Sequence, residues 1–279
     1  MSEQQTVAYI GPEYSFSHDL VRAEYPAAQH VACPNLASVV TAVAQGKCVR
    51  GLVPFYNTNY QSIRETQIEI IRHRGKVFVV DVLALKVRHY LCGAGTLPDI
   101  REVRTKSVVF DQASHWLEKK LPGVQRNNFE STSLAIQSLA GSQDTTLAAI
   151  GTKSASKHYG VKVIQGNIQN KPNVTVFFAV EKTKPNPLNC DRVLMCIRKA
   201  SERDMQKVED IVCASGCGIS SGWQVHLTKT GKDVAYFCEL DGQYANLDLN
   251  ASVVRIKQAV QGTFMVGGYT GKCITRMMI

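Results

Sequence analysis

Apolar positions along the chain fall into short continuous runs and helical stripes. Thr6 to Ile10 is a run that stops at Gly11-Pro12, which predicts a short buried strand. Ser15-Phe16-Ser17-His18 follows as a polar helix start. Leu36 to Ala44 carries Ala37, Val40 and Ala44 on one helical face and ends at Gly46. Val49 to Phe55 predicts a strand that runs into the polar loop Tyr56-Asn57-Thr58-Asn59. Ile63 to Ile71 predicts a helix, and Lys76 to Val87, then His89 to Cys92, predict strands. Ser107 to Phe110 fits either a strand or a helix start. Ala113 to Leu121 is helical and ends at Pro122-Gly123. Glu130-Ser131-Thr132 caps an apolar helix through Leu139. Thr145 to Ile150 predicts a strand, Gly151-Thr152 opens a helix from Lys153 to His158, and Val161 to Ile164 and Thr175 to Val180 predict strands. Such alternation implies mainly parallel α/β sheets.

The stretch Lys182-Thr183-Lys184-Pro185-Asn186-Pro187 is basic, has two prolines and lacks apolar periodicity, as a linker does. A different unit follows. Arg192 to Ile197 predicts a strand, and Asp204 to Ala214 a helix with Met205, Val208, Ile211 and Val212 inward. Trp223 to Thr228 and Asp233 to Leu240 predict a hairpin around Thr230-Gly231-Lys232. Leu249 to Val260 predicts a helix and Thr263 to Val266 a closing strand. The order β-α-β-β-α-β is that of a ferredoxin-like domain. The expected division is therefore residues 1–182 and residues 188–279.

Composition narrows the function classes. The chain has 279 residues, 44% apolar and 20% charged, enough to bury a core without staples. No apolar run approaches about 18 residues, so no membrane span is expected. The polar start Met-Ser-Glu-Gln-Gln-Thr predicts no secretory leader and hence a cytoplasmic protein. Net charge is +9, from 32 basic and 23 acidic residues. Such a charge can attract nucleic acid, an anionic membrane surface or anionic metabolites, but the densest basic patches, Arg72-His73-Arg74 with Lys76 and Lys119-Lys120, match no nucleic-acid motif and read as a solvated basic face. Nine cysteines without a leader predict reduced thiols. Cys213 and Cys217 face each other on a helix, yet no second pair sits at zinc spacing, so they read as small buried hydrophobes and no metal is expected.

Three places put polar side chains at a strand's C-terminal end, before a helix: Ser15 with Ser17, Asn57 to Asn59, and Thr152 with Ser154. Ligands of open α/β sheets bind at such ends, and helix N-termini favour anions. Each hydroxyl also serves as a plain N-cap. Three such places around one cleft suit a small molecule with more than one carboxylate.

These segments resemble prephenate dehydratases. Val7-Ala8-Tyr9-Ile10-Gly11-Pro12-Glu13-Tyr14-Ser15-Phe16-Ser17-His18 is similar to the family's opening GPxGTFS segment. Gly51-Leu52-Val53-Pro54-Phe55-Tyr56-Asn57-Thr58 resembles its strand ending in PIENS, and Glu130-Ser131-Thr132-Ser133-Leu134-Ala135 its EST helix start. Ala148 to Thr152, continuing to Tyr159-Gly160, resembles AAIGS…YGL. Asn173-Val174-Thr175-Val176-Phe177 sits where the family has N-x-TRF, and Gly267-Gly268-Tyr269 resembles its LGSY close. The resemblance implies a two-lobed catalytic region like a periplasmic binding protein, followed by a ferredoxin-like ACT domain, in a homodimer or tetramer. It implies a lyase that turns prephenate, or a close cyclohexadienyl analogue, into an arylpyruvate with loss of water and carbon dioxide, without metal or organic cofactor. Thr175 then takes the place of the family's donor to the ring hydroxyl, acting by a positioned hydrogen bond because Thr is a poor acid. Asn57 matches the amide of PIENS, and Ser15 keeps the hydroxyl of GTFS. Tyr56, Thr58, Thr105, Lys106, Ser131, Thr132, Thr152 and Phe177 complete the implied substrate-binding set.

The departures are specific. The family's Glu is Tyr56, the Arg of TRF is Val176, its His-Pro-Gln becomes Lys106-Ser107-Val108, and the preceding Ser is Thr105. Gln112 supplies the missing amide only by a shift of register. The effector motifs GALP and ESRP have no match around Ala200 to Arg203 or Gly218 to Trp223, so phenylalanine feedback is not expected. Three readings stay open: an aromatising dehydratase, a prephenate decarboxylase that keeps the hydroxyl, and a non-catalytic regulator that binds a carboxylated metabolite. His18, His115 and His158 read as surface or capping residues, Tyr56 as a filler of volume, and Trp223 as a core or interface anchor.

Overall fold

Buried apolar runs build the molecule from the inside out, starting with strand β1 (Thr6–Ile10), whose middle residues Val7 and Ala8 are fully buried. The computed structural model describes residues 5–59, 61–186, 189–199, 201–226, 234–242 and 247–271. β1 runs parallel to β2 (Gln29–Cys33) on one side and β3 (Arg50–Asn57) on the other. The connections are α1 (Phe16–Glu24), capped by Ser15, and α2 (Leu36–Ala44), capped by Asn35. The two-residue β4 (Gln61–Ser62) pairs with β3, and α3 (Arg64–Arg72) leads into β5 (Phe78–Lys86).

The chain then crosses to a second sheet. It contributes β6 (Tyr90–Gly93), β7 (Glu102–Thr105), α4 (Ser107–Gln112), α5 (Ser114–Lys120), β8 (Gln125–Asn128), α6 (Thr132–Gln137), β9 (Leu147–Gly151), α7 (Lys153–His158) and β10 (Val163–Gly166). The strand order is β10-β6-β9-β7-β8. It returns as β11 (Val174–Glu181), which enters antiparallel between β3 and β5. β11 is buried from Val174 to Val180, which explains why it reads as a continuous apolar run.

The mainly parallel expectation therefore needs correction: both sheets are mixed. The cause is the double crossing, which sends β11 back against the direction of β3. Ser107 to Phe110 resolves as helix α4. The edge strands β2 and β8 carry no sequence expectation, because little burial patterns them; every residue of β8 is exposed.

The C-terminal residues form β12 (Arg192–Arg198), α8 (Glu202–Ala214), β13 (Gly218–His226), β14 (Val234–Asp241), α9 (Leu247–Ala259) and β15 (Thr263–Tyr269), in the expected β-α-β-β-α-β order. β12 and β14 are antiparallel neighbours, as are β13 and β14. The expected turn Thr230-Gly231-Lys232 lies outside the described residues, as do Asp233, Pro187 and Ala200. α8 and α9 cover one face, where Val208, Val212, Leu249 and Ile256 bury Val193, Met195 and Ile197. The opposite face, with Leu194, Cys196 and Phe237, shares the core of Phe55, Ile70 and Phe178. Trp223 meets Phe55 edge-on at 5.3 Å between ring centroids. β15 also touches β5 at Gly267 and Val79, so the C-terminal strands extend the first sheet to the order β13-β14-β12-β15-β5-β11-β3-β1-β2. Only glycine fits there: a Cβ on Gly267 would lie 2.1 Å from the Val79 carbonyl oxygen.

Cys33, Cys48, Cys92, Cys190, Cys196 and Cys238 are buried, but Cys213 is exposed on the last turn of α8 and Cys217 is half-buried. His18 also departs from the surface reading. It is buried, stacks on Tyr9 at 4.8 Å, and its Nδ1 accepts from the Tyr14 backbone N–H at 2.8 Å.

Candidate active site

A cavity of about 230 Å³ lies between the two sheets, where the strands β1, β3 and β7 end. The β1–α1 connection supplies Gly11, Ser15, Phe16 and Ser17, so the N-terminus of the nine-residue α1 faces the space. Asn57 comes from the end of β3. The two crossover segments supply Val87 and His89 on one side, Asn173 and Thr175 on the other, and are tied by the Val87 N–H donating to the Asn173 carbonyl at 2.8 Å. The second sheet supplies Lys106, Val109 and Gln112 around α4, and Ser131 and Thr132 at the start of α6.

Polar contacts in this wall are directional. The Asn59 backbone N–H donates to Asn57 Oδ1 at 2.9 Å. Asn57 Nδ2 donates to Asn173 Oδ1 at 2.7 Å and to Thr175 Oγ1 at 2.8 Å. Thr175 Oγ1 is thus an acceptor towards Asn57, so its own proton is not used in that bond. Across the space, His89 Nε2 lies 2.5 Å from Gln112 Oε1. Burial pushes the His89 pKa below its ordinary value, and the Gln112 hydrogen bond opposes this only in part. A neutral imidazole donating from Nε2 presents a bare lone pair at Nδ1, which is buried without a hydrogen-bond partner among the described residues. Lys106 is the one cation among the described residues lining this cavity, and no carboxylate is among them.

The expected residues divide. Ser15, Asn57, Lys106, Ser131, Thr132 and Thr175 line the cavity. Ser15 and Ser131 also cap helices, accepting from His18 N and Leu134 N. Tyr56, Thr58, Thr105, Thr152 and Phe177 do not line it. Tyr56 packs against the first-sheet core, and Phe177 is buried among Val7, Tyr9 and Leu20. Thr58 Oγ1 accepts from Val174 N at 3.0 Å, and fully buried Thr105 donates to the Ile150 carbonyl at 2.8 Å. Thr152 caps α7 through Ala155 N and donates to the Tyr14 carbonyl at 2.8 Å. That contact belongs to a clasp between the lobes. Ser133 Oγ donates to the Glu13 carbonyl at 2.6 Å, Ser154 Oγ to Asp19 Oδ1 at 2.5 Å, and Tyr14 stacks on His158 at 3.8 Å. Of the three strand-end places, the first two meet at the cavity and the third closes the lobes together.

His89 and Asn173 carry no sequence expectation as site residues, and Gln112 carries one only by a shift of register. Gln112 follows Val108 by four residues and Val109 by three, so all three share a helical face once α4 is known to be a helix. Among the described residues, no group of three His, Cys, Asp or Glu side chains is placed to hold a metal. No helix among them is long and apolar enough to cross a membrane.

A cleft between two α/β lobes, faced by a helix N-terminus and lined by oriented amides and hydroxyls, has the features that suit a small polar or anionic molecule. The chain belongs to the prephenate dehydratase family, whose model matches residues 7–185. It is 23% identical over 266 residues to a bifunctional chorismate mutase/prephenate dehydratase of Aquifex aeolicus, spanning 94% of this chain and 73% of that protein. It is 26% identical over 179 residues to the prephenate dehydratase of Lactococcus lactis, with 64% of each covered. The fold is that of the Arthrobacter aurescens prephenate dehydratase solved with L-Phe, with TM-score 0.82, 18% identity and 95% and 90% of the two chains covered. A protein described as a novel type of quorum quenching acylase, GqqA, shares the fold at TM-score 0.80 and 16% identity, over 98% and 99% of the two chains.

Proposed function

We propose that this chain is a lyase that converts prephenate, or a close cyclohexadienyl acid, to an arylpyruvate by linked loss of carbon dioxide and the ring hydroxyl. The observation that carries the reading is the Thr175 hydroxyl on the cavity wall, which accepts from Asn57 at 2.8 Å and so keeps its own proton available to a ligand. Its role is to donate to the departing oxygen, where a donor counts most as charge develops. Lys106 meets one substrate carboxylate, and the N-terminus of α1 favours negative charge beside it. Ser15, Ser131 and Thr132 line the same space and shape it. On this reading residues 1–182 are the catalytic region, residues 188–279 an ACT-like domain, and the protein works in the cytoplasm as a homodimer or tetramer.

A second reading has one observation in its favour. With Lys106 the lone cation among the described lining residues, Tyr56 turned into the core and Val176 fully buried, the cavity carries less charge than a dianion asks for. That suits a decarboxylase that keeps the hydroxyl, or a sensor of a carboxylated metabolite. Purified protein incubated with prephenate separates these readings when phenylpyruvate and carbon dioxide are followed together. Phenylpyruvate that vanishes with Thr175→Ala supports the dehydratase. Carbon dioxide without phenylpyruvate supports the decarboxylase. Thermal stabilisation by prephenate without either product supports the sensor.

A further inference from the structure

We propose that the Asn173 side-chain amide is a second donor to the departing hydroxyl, acting beside Thr175; the inference rests on the dehydratase reading. Its direction follows from one backbone group. The Asn59 N–H can only donate, so the atom of Asn57 that faces it at 2.9 Å is the oxygen. The Asn57 nitrogen then points the other way and donates to Asn173 at 2.7 Å, so the Asn173 atom in that contact is also the oxygen. The Asn173 nitrogen is left facing away. It is buried, it has no hydrogen-bond partner among the described residues, and its residue is only 3% exposed on the cavity wall.

An amide donor buried without a protein partner is costly in a folded protein and calls for a water or a ligand atom as its partner. A ligand oxygen in the cavity satisfies it. Asn173 Oδ1 and Thr175 Oγ1 both accept from the same Asn57 nitrogen, so the two groups are neighbours, and both residues line the cavity. In the reaction, the bond from the ring to the leaving carboxylate breaks and its electron pair becomes a ring double bond. The ring carbon–oxygen bond breaks with its pair, releasing hydroxide, which takes a proton from solvent. Asn173 and Thr175 stabilise the charge on that oxygen; the amide transfers no proton.

Asn173→Asp is the test. The new carboxylate still accepts from Asn57 but presents an acceptor, not a donor, to the cavity. With prephenate at neutral pH, kcat falls about 100- to 1000-fold while KM stays within about threefold. As pH falls to about 4–5 the carboxyl protonates, becomes a donor again, and kcat recovers after subtraction of the uncatalysed reaction in acid. A purely structural amide gives no such recovery. Near-ultraviolet circular dichroism establishes that the variant is folded; if it is not, Asn173→Ala with added formamide carries the same test, with return of kcat expected. Wild-type kcat in Asn173→Asp, a loss without recovery in acid, or an unrescued Asn173→Ala overturns the proposal while the dehydratase reading stands. A wild-type protein that makes no phenylpyruvate overturns both.

Discussion

Asn57→Asp exchanges one nitrogen for an oxygen and should reverse the polarity of the whole cavity wall. The new carboxylate would keep the oxygen that accepts from the Asn59 N–H at 2.9 Å. Its second oxygen would stand where Nδ2 now donates to Asn173 and Thr175. Two oxygens cannot face an oxygen without a proton between them. Thr175 would turn its hydroxyl proton inward, and the Asn173 amide would flip to donate its nitrogen. Both donors would then leave the cavity. One donor to a developing oxyanion is worth about 10²–10³ in kcat, or about 3–4 kcal/mol. Two donors on one oxygen are not additive, so the expected loss is about 10³–10⁴. The stability cost is smaller, because the buried carboxylate would gain hydrogen bonds from the same two partners; about 1–3 kcal/mol covers it. The assay is phenylpyruvate formation at saturating prephenate, with a thermal melt in parallel. A variant that folds and keeps more than about a tenth of wild-type kcat would show that donor direction at Asn57 is not what drives the step.

Two further outcomes bear on the fold and on pH. Gly267→Ala puts a methyl 2.1 Å from the Val79 carbonyl oxygen and 2.6 Å from Val79 Cβ, so β15 must leave β5; overpacking of this kind costs about 1–3 kcal/mol, and the melt should drop by several degrees while Gly222→Ala, whose nearest neighbour is 3.9 Å away, leaves it in place. An equal melt for both variants would mean the seam between β5 and β15 contributes nothing. Burial lowers the folded-state pKa of His89, so below the ordinary value of about 6.5 the unfolded chain binds the proton that the folded chain refuses. Stability is therefore full above that pH and falls as pH drops through the window below it; His18, lowered chiefly by burial, adds the same sign. Urea unfolding at pH 5.5 and 7.5 should show the loss, and His89→Gln should reduce it; a protein more stable at pH 5.5 would contradict the assignment.

What the sequence disclosed depended on how deeply an element is buried. β11 is enclosed on both sides and its apolar run announces it, and the C-terminal helices show their inward residues at helical spacing. β8 has four exposed residues at a sheet edge and no pattern to read. The family motifs led to Asn57, Thr175 and Ser15, all on the cavity wall. They led equally to Thr105 and Thr152, whose hydroxyls are spent on the Ile150 and Tyr14 carbonyls. A motif specifies a residue type at a place along the chain; which way its hydroxyl points is decided by strand register and by the partner across the lobe.

The same distinction explains why sequence alone gives Asn173 no role and reaches Gln112 only through a register shift. Each is a neutral amide, and composition offers no sign that an amide is oriented. Orientation enters through the Asn59 N–H, a backbone group every residue but proline carries, and it passes from Asn57 to Asn173 and Thr175 because each amide has one accepting end and one donating end. On the proposal above, a cavity whose described lining holds one cation and no carboxylate presents two donors to the departing oxygen without any further charge. The loss of the family's Glu and Arg at Tyr56 and Val176 leaves that chain of amides intact, since neither residue takes part in it. Charge near the site sets how tightly an anion is held; the direction of the amides sets which bond in it is encouraged to break.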